Sequence, residues 1–171
     1  YDLEPDSPSR LVNLSSRAFV GTGNNIMIAG FVIQGTGLEQ ILIRGIGPSL
    51  AQHSITDYLR KPLLTIYDSQ GNILATNQGW KGESWLSRLF EQVGAFPLLA
   101  GSLDTSLVMN LPEGSYTAQL KGADDTSGTG LLEIYEVDSP VTLPVFASPR
   151  AVLVETGTPL TMPSAVDSNS P

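Results

Sequence analysis

Few residues in this chain are of types that do chemistry, and their spacing limits what each could do. His53 is the only histidine and cysteine is absent. Thiol catalysis, disulfides and Cys-based metal sites are therefore excluded, and a lone imidazole cannot build an ordinary zinc site. A Ser–His–acid triad would need a nucleophile elbow, and the sequence has none. His53 reads as a solvent-facing or helix-capping residue. Asp68, Glu83, Asp104, Asp124 and Asp125 could in principle pair for glycoside hydrolysis. All five fall in turn-like segments, where Asp is favoured for turn geometry alone. The same acids could offer oxygens to calcium, the one cofactor left open, and Asp124-Asp125-Thr126-Ser127 is the densest cluster. It lacks the spacing of an EF-hand loop. The Gly-Thr-Gly triplets are not followed by the Gly-Lys-Ser/Thr of a phosphate loop, so they read as turns. Trp80, Trp85, Tyr58 and Tyr67 could stack on a sugar, against the simpler reading that they pack in a hydrophobic cluster. Asn13-Leu14-Ser15 fits a glycosylation acceptor but falls inside an expected strand. No catalytic, cofactor-binding or metal-binding residue is assigned.

The surroundings of these residues are those of a globular β-protein. The chain has 171 residues, 41% of them hydrophobic, enough for one well-buried domain with chain left over at an end. Charged residues make up 15%, well below the roughly 25% typical of soluble domains. Ser, Thr, Asn, Gln and Gly take their place, a weakly charged surface common in secreted β-proteins and in surfaces that pack on copies of themselves. The net charge is −8 and the nine basic residues are scattered, so no basic stripe exists to neutralise nucleic-acid phosphates. No run reaches the ~18 apolar residues of a spanning helix, which argues against membrane insertion. No signal peptide is visible; one was removed or the chain is a piece of something larger. Arg17, Arg44 and Lys61 read as structural charges.

Alternating and β-branched runs, separated by Gly, Asn, Asp and Pro, predict strands over 11–20, 26–34, 41–47, 63–67, 73–76, 105–111, 115–122 and 131–137. Gly30, inside one of them, suggests a bulge or close backbone contact. LLTIY, DSQGN and ILAT form the clearest hairpin. Pro112-Glu113-Gly114 reads as the turn of a second. Pro48 could open a short helix within 48–60. ESWLSRLFEQV at 83–93 predicts a helix with Trp85, Leu86, Leu89, Phe90 and Val93 on one face, stopped by Gly94. About eight or nine short strands with one or two short helices indicate an all-β fold, a β-sandwich or jelly roll.

Three segments also resemble known sequences. RLVNLSSRAFVGTGNNIMIAGFVIQG with ILIRGIGPSLA, then LLTIYDSQGNILATNQGW with VGAFPLLAGSLDTSLVMNLPEGSYTAQLKG, then GTGLLEIYEVD are similar to a module of large exported and cell-surface proteins of Verrucomicrobia-like bacteria. That module is often arranged in tandem. The resemblance spans roughly 10–138. The second segment also resembles pre-peptidase C-terminal sandwich domains, through Leu64, Ile66, Tyr67, Asp68, Gly71 and Leu74, then Leu111, Gly114, Tyr116 and Leu120. Such domains are accessory modules of secreted proteins, some binding calcium or carbohydrate. The resemblance implies a sandwich fold and an extracellular or cell-surface setting, and no activity.

The ends complete the reading. Residues 1–10 form an extension or linker strand, 11–139 the sandwich, and 140–171 a Pro-rich extension with a candidate donor strand at 150–162. Tyr1-Asp2-Leu3-Glu4-Pro5-Asp6-Ser7-Pro8 echoes Tyr135-Glu136-Val137-Asp138-Ser139-Pro140, as expected where one tandem module runs into the next. In RAVLVETGTPLTM at 150–162, Ala151, Leu153 and Glu155 alternate with Val152, Val154 and Thr156. A lone strand cannot satisfy its own backbone groups. It must extend its own sheet, add to a neighbouring subunit, or lead to a further domain. The expected function is a non-catalytic structural subunit that associates with copies of itself into a fibre or array. Arg150, Val152, Leu153, Val154, Leu160, Tyr1 and Leu3 are the expected assembly residues. The alternative is an accessory module binding carbohydrate.

Overall fold

The computed structural model describes residues 12–138. They form six strands: β1 (Asn13–Val20), β2 (Met27–Ile46), β3 (Pro62–Tyr67), β4 (Ile73–Asn77), β5 (Thr105–Gly122) and β6 (Gly128–Glu136). One helix, α1 (Ser84–Gln92), and short 3-10 turns at Pro48–His53 and Ala123–Asp125 complete the elements. The strands lie in the order β1-β6-β2-β5-β3-β4, with every neighbouring pair antiparallel. The fold is all-β and sandwich-like.

Two expected strand–turn–strand units are instead two long bent strands. The runs 26–34 and 41–47 fuse into β2, and 105–111 and 115–122 fuse into β5. The bend comes from a mismatch in their shared register: Ile33 faces Gly114 and Leu38 faces Pro112, so residues 34–37 oppose Glu113 alone. Gly35 and Gly37 sit at φ of 120° and 109°, which L side chains rarely adopt. The Gly-Thr-Gly segment therefore bends the strand without reversing it. The bulge lies here and not at Gly30, where an added Cβ would come no closer than 3.9 Å to the Tyr116 carbonyl.

The bend folds the sheet over on itself. Residues 27–33 of β2, 114–122 of β5, β3 and β4 form one half. Residues 38–46 of β2, 105–112 of β5, β6 and β1 form the other. Met27, Ile33, Leu64, Ile66, Ala118 and Leu120 from the first half meet Val20, Ile41, Ile43, Leu132 and Ile134 from the second in one core. Side chains of the opposite parity on the second half, among them Leu42, Ile46 and Tyr135, face a second core. Leu86, Leu89 and Phe90 of α1, with Leu50, Trp80, Ala95 and Leu98 from the connections, close it. Each such buried aliphatic or aromatic side chain contributes about 1.5–3 kcal/mol. Residues 41–46 of β2 are thus buried on both faces. The expected hairpin 63–76 and helix 83–93 are present with ends shifted by one residue or so, and Gly94 follows α1 at φ 72°. The helix expected within 48–60 is a 3-10 turn of six residues.

Candidate functional site

The residues singled out for chemistry do not converge. His53 is exposed and packs edge-on against Phe96, with ring centroids 4.9 Å apart. Asp68 organises the β3–β4 turn, accepting from the Asn72 and Gln70 backbone amides at 2.8 and 2.9 Å and from the Asn72 side chain at 2.8 Å. Those bonds, the Asn72 side chain first, hold its carboxyl below the usual value. Glu83 accepts from the Trp85 indole. Asp124 pairs with Lys61 at 2.7 Å on the surface, and Asp124 and Asp125 both take left-handed backbone. Among the described residues no group of three or more His, Asp or Glu side chains is placed to hold a metal ion. Trp80, Trp85 and Tyr58 belong to the second core. Tyr67 lies apart from them, so the four do not form one platform.

Asp104 is the exception among the acids, because it is not at a surface turn at all. It is fully buried, and its carboxylate accepts from the Gly47 amide at 2.7 Å, the Ser49 amide at 3.1 Å, the Ser49 hydroxyl and the Ser102 hydroxyl at 2.5 Å. Its own carbonyl accepts from the Trp80 amide at 2.7 Å. Asp104 ties the start of β5 to the turn after β2, where buried donors would otherwise go unmet.

A second buried polar group lies between β2 and β6. Arg44 and Glu133 are cross-strand partners, with Nε and Oε2 3.3 Å apart. The guanidinium lies between the rings of Phe90 and Phe96, 4.5 and 4.8 Å from their centroids, and donates from Nη1 to the Phe96 carbonyl at 2.9 Å. Burial pushes the Arg44 pKa down, against the pull of Glu133. Both networks join one part of the fold to another.

What the fold leaves available is strand edge. Among the described residues, six of the nine exposed large hydrophobic side chains lie on three strands: Phe19 on β1, Ile28, Val32 and Leu38 on β2, and Ile73 and Leu74 on β4. β1 and β4 end the sheet. Residues 27–33 of β2 pair with β5 on one side, and no described strand pairs with the other, because β6 covers only 41–46. Ile28, Val32 and Leu38 are 61%, 59% and 65% exposed. Sequence reading missed this edge. A signal was present: no charged residue occurs between Arg17 and Glu39. A shallow concavity of about 540 Å³ lies on the same half, lined by Tyr67, Asp68, Ser69, Ser115, Thr117 and Gln119 among others. The expected assembly residues Tyr1, Leu3, Arg150, Val152, Leu153, Val154 and Leu160 lie outside the described residues.

No helix among the described residues is long and apolar enough to cross a membrane. A scan against protein-family models finds no match, and a search of curated proteins finds none either. Among solved structures, the chain is similar to the pre-peptidase C-terminal domain of collagenase from Bacillus anthracis, with a TM-score of 0.44 and 13% identity. The similarity covers 72% of this chain and 89% of that one.

Proposed function

We propose that this protein is a non-catalytic structural module of an extracellular or cell-surface bacterial assembly, associating with copies of itself through its strand edges and terminal segments. One observation carries the reading: the exposed large apolar side chains concentrate on strands with unpaired edges. An edge offers a row of backbone donors and acceptors, and apolar side chains beside it add burial to the pairing. The acids and the histidine, meanwhile, are dispersed or serve structure. Light scattering on the full chain and on a chain ending at Ser139 tests the proposal. The full chain is expected to form species of increasing mass and the shortened one to stay monomeric. Two well-folded monomers would overturn self-association through the C-terminal segment.

The concavity beside Tyr67 favours a second reading, an accessory module that binds carbohydrate. It combines the side chains of Tyr67 and Tyr116 with hydroxyl, amide and carboxylate groups, the mixture that orients a sugar. Retention of the monomer on insoluble polysaccharide, lost in Tyr67→Ala, would support it. Equal passage of both proteins would remove it.

A further inference from the structure

We infer that the open edge formed by residues 27–33 of β2 accepts residues 150–162 of a neighbouring copy as an added strand. This rests on the self-association reading above and names its two surfaces.

The acceptor is identified by what protects the other edges. β1 carries Arg17 at its middle and two serines before it. β4 is five residues long. The free side of 105–112 has its start occupied, since the Asn77 side chain accepts from the Ser106 amide at 3.2 Å and Trp80 bonds to Asp104. Charges, short length and covering contacts are the usual means of blunting a sheet edge. Residues 27–33, MIAGFVI, have no charge, no proline and no described covering strand. They are apolar toward both faces: Met27, Ala29, Phe31 and Ile33 join the first core, while Ile28 and Val32 face outward. Ala29 and Phe31 are only partly buried, so the core is open along this side.

The donor is identified by matching chemistry and by chain direction. Residues 150–158 contain no proline, and Ala151, Val152, Leu153 and Val154 supply apolar side chains to both faces of an extended strand. β6 runs antiparallel to β2 on the side where the edge is open, and the Val137 amide donates to the Gln40 carbonyl at 2.9 Å. The chain therefore leaves β6 heading along its own open edge. The residues that follow include Pro140, Pro144 and Pro149, which lack the amides a ladder needs. Extended at about 3.1 Å per residue, residues 139–149 reach about 34 Å. In the register of β6, residue 139 would fall opposite residue 38, and from there to Met27 is eleven residues, about 36 Å at about 3.3 Å per residue. An extended linker therefore runs the length of its own edge before residue 150, which leaves the donor segment for the edge of another copy. Donor and acceptor are different surfaces, so the contact is head-to-tail and propagates.

Complementation between two incomplete chains tests this. The chain ending at Ser139 lacks the donor but keeps every residue named above for the two cores. The full chain carrying Ile28→Lys and Val32→Lys keeps the donor, and its changes fall on exposed positions. Each alone is expected to run as a monomer, near 18.2 kDa for the full-length form. Their equimolar mixture is expected to give one 1:1 dimer and nothing larger, with amide exchange slowed over 27–33 of the shortened chain. Polymers from the double-lysine chain, with the shortened chain still monomeric, would overturn the acceptor while leaving self-association standing. A monomeric wild-type chain with slowed exchange over 27–33 would overturn donation between copies, since the segment would then pair with its own edge. A monomeric wild-type chain with exposed 27–33 amides would overturn both readings.

Discussion

Arg44 and Glu133 face each other across β2 and β6, each no more than 6% exposed at the side chain, and the salt bridge between them is 3.3 Å long. Neither would be tolerated there alone. Two phenylalanine rings and the Phe96 carbonyl contact the rest of the guanidinium, and Nη2 finds no hydrogen-bond partner among the described residues. Removing the carboxylate leaves a buried cation with no counter-charge beside it. Glu133→Ala is expected to lower unfolding free energy by about 3–5 kcal/mol. The double change Arg44→Met with Glu133→Leu is expected to cost less than that single change, because it removes both charges and keeps the volume. Urea denaturation of the three proteins measures the difference.

Tyr135 shares this layer, and its phenol is pushed up to about 12, first by burial and then by the Glu133 charge. The folded state thus prefers the neutral phenol. Its contribution to stability is complete below the unfolded tyrosine value of about 10 and is lost as pH rises from there through about 12. An alkaline titration followed by phenolate absorbance is expected to show one tyrosine ionising late, a step missing in Tyr135→Phe. That variant is also expected to lose less stability between those pH values.

Asp104 receives four hydrogen bonds in a fully buried position. Asp104→Ala orphans the Gly47 and Ser49 amides together. Each unmet buried group costs about 1–3 kcal/mol, so the loss is expected to exceed that of any one exposed carboxylate. Asp68→Ala, at a surface turn, serves as the comparison in a thermal melt. Near-equal melting temperatures would refute the role assigned to Asp104.

Gly47 makes a sharper case. A Cβ there would lie 1.9 Å from the Leu59 carbonyl oxygen, with backbone and not a flexible side chain in the way. Gly47→Ala is expected to cost more than about 4 kcal/mol and to leave little soluble folded protein. At Gly79 nothing lies within 4 Å of an added Cβ, although φ is 88°. Gly79→Ala is therefore expected to cost only about 1–2 kcal/mol. Expression yield and circular dichroism of the pair check both values.

The all-β class, the 62–77 hairpin and α1 were legible in the sequence because each depends on neighbours within a few residues. Alternation, a turn built by Asp68, Gly71 and Asn72, and a one-sided apolar helix face are local signals. The fusion of strands into β2 and β5 was not legible. Glycines at positive φ serve reversals and bulges alike, and only the pairing of residues 34–37 against Glu113 decides between them. The fate of the charges was hidden for the same reason. Asp104 looked like a turn residue, and nothing near it in sequence announces that Gly47 and Ser49 will bring their amides to it. Residue order alone shows which residues alternate, and that the chain has no cysteine and a single histidine. Which edge is left unpaired among the described strands depends on long-range pairing. An edge is defined by the strand that fails to arrive beside it: β6 pairs with residues 41–46, and no described strand pairs with 27–33 on that side.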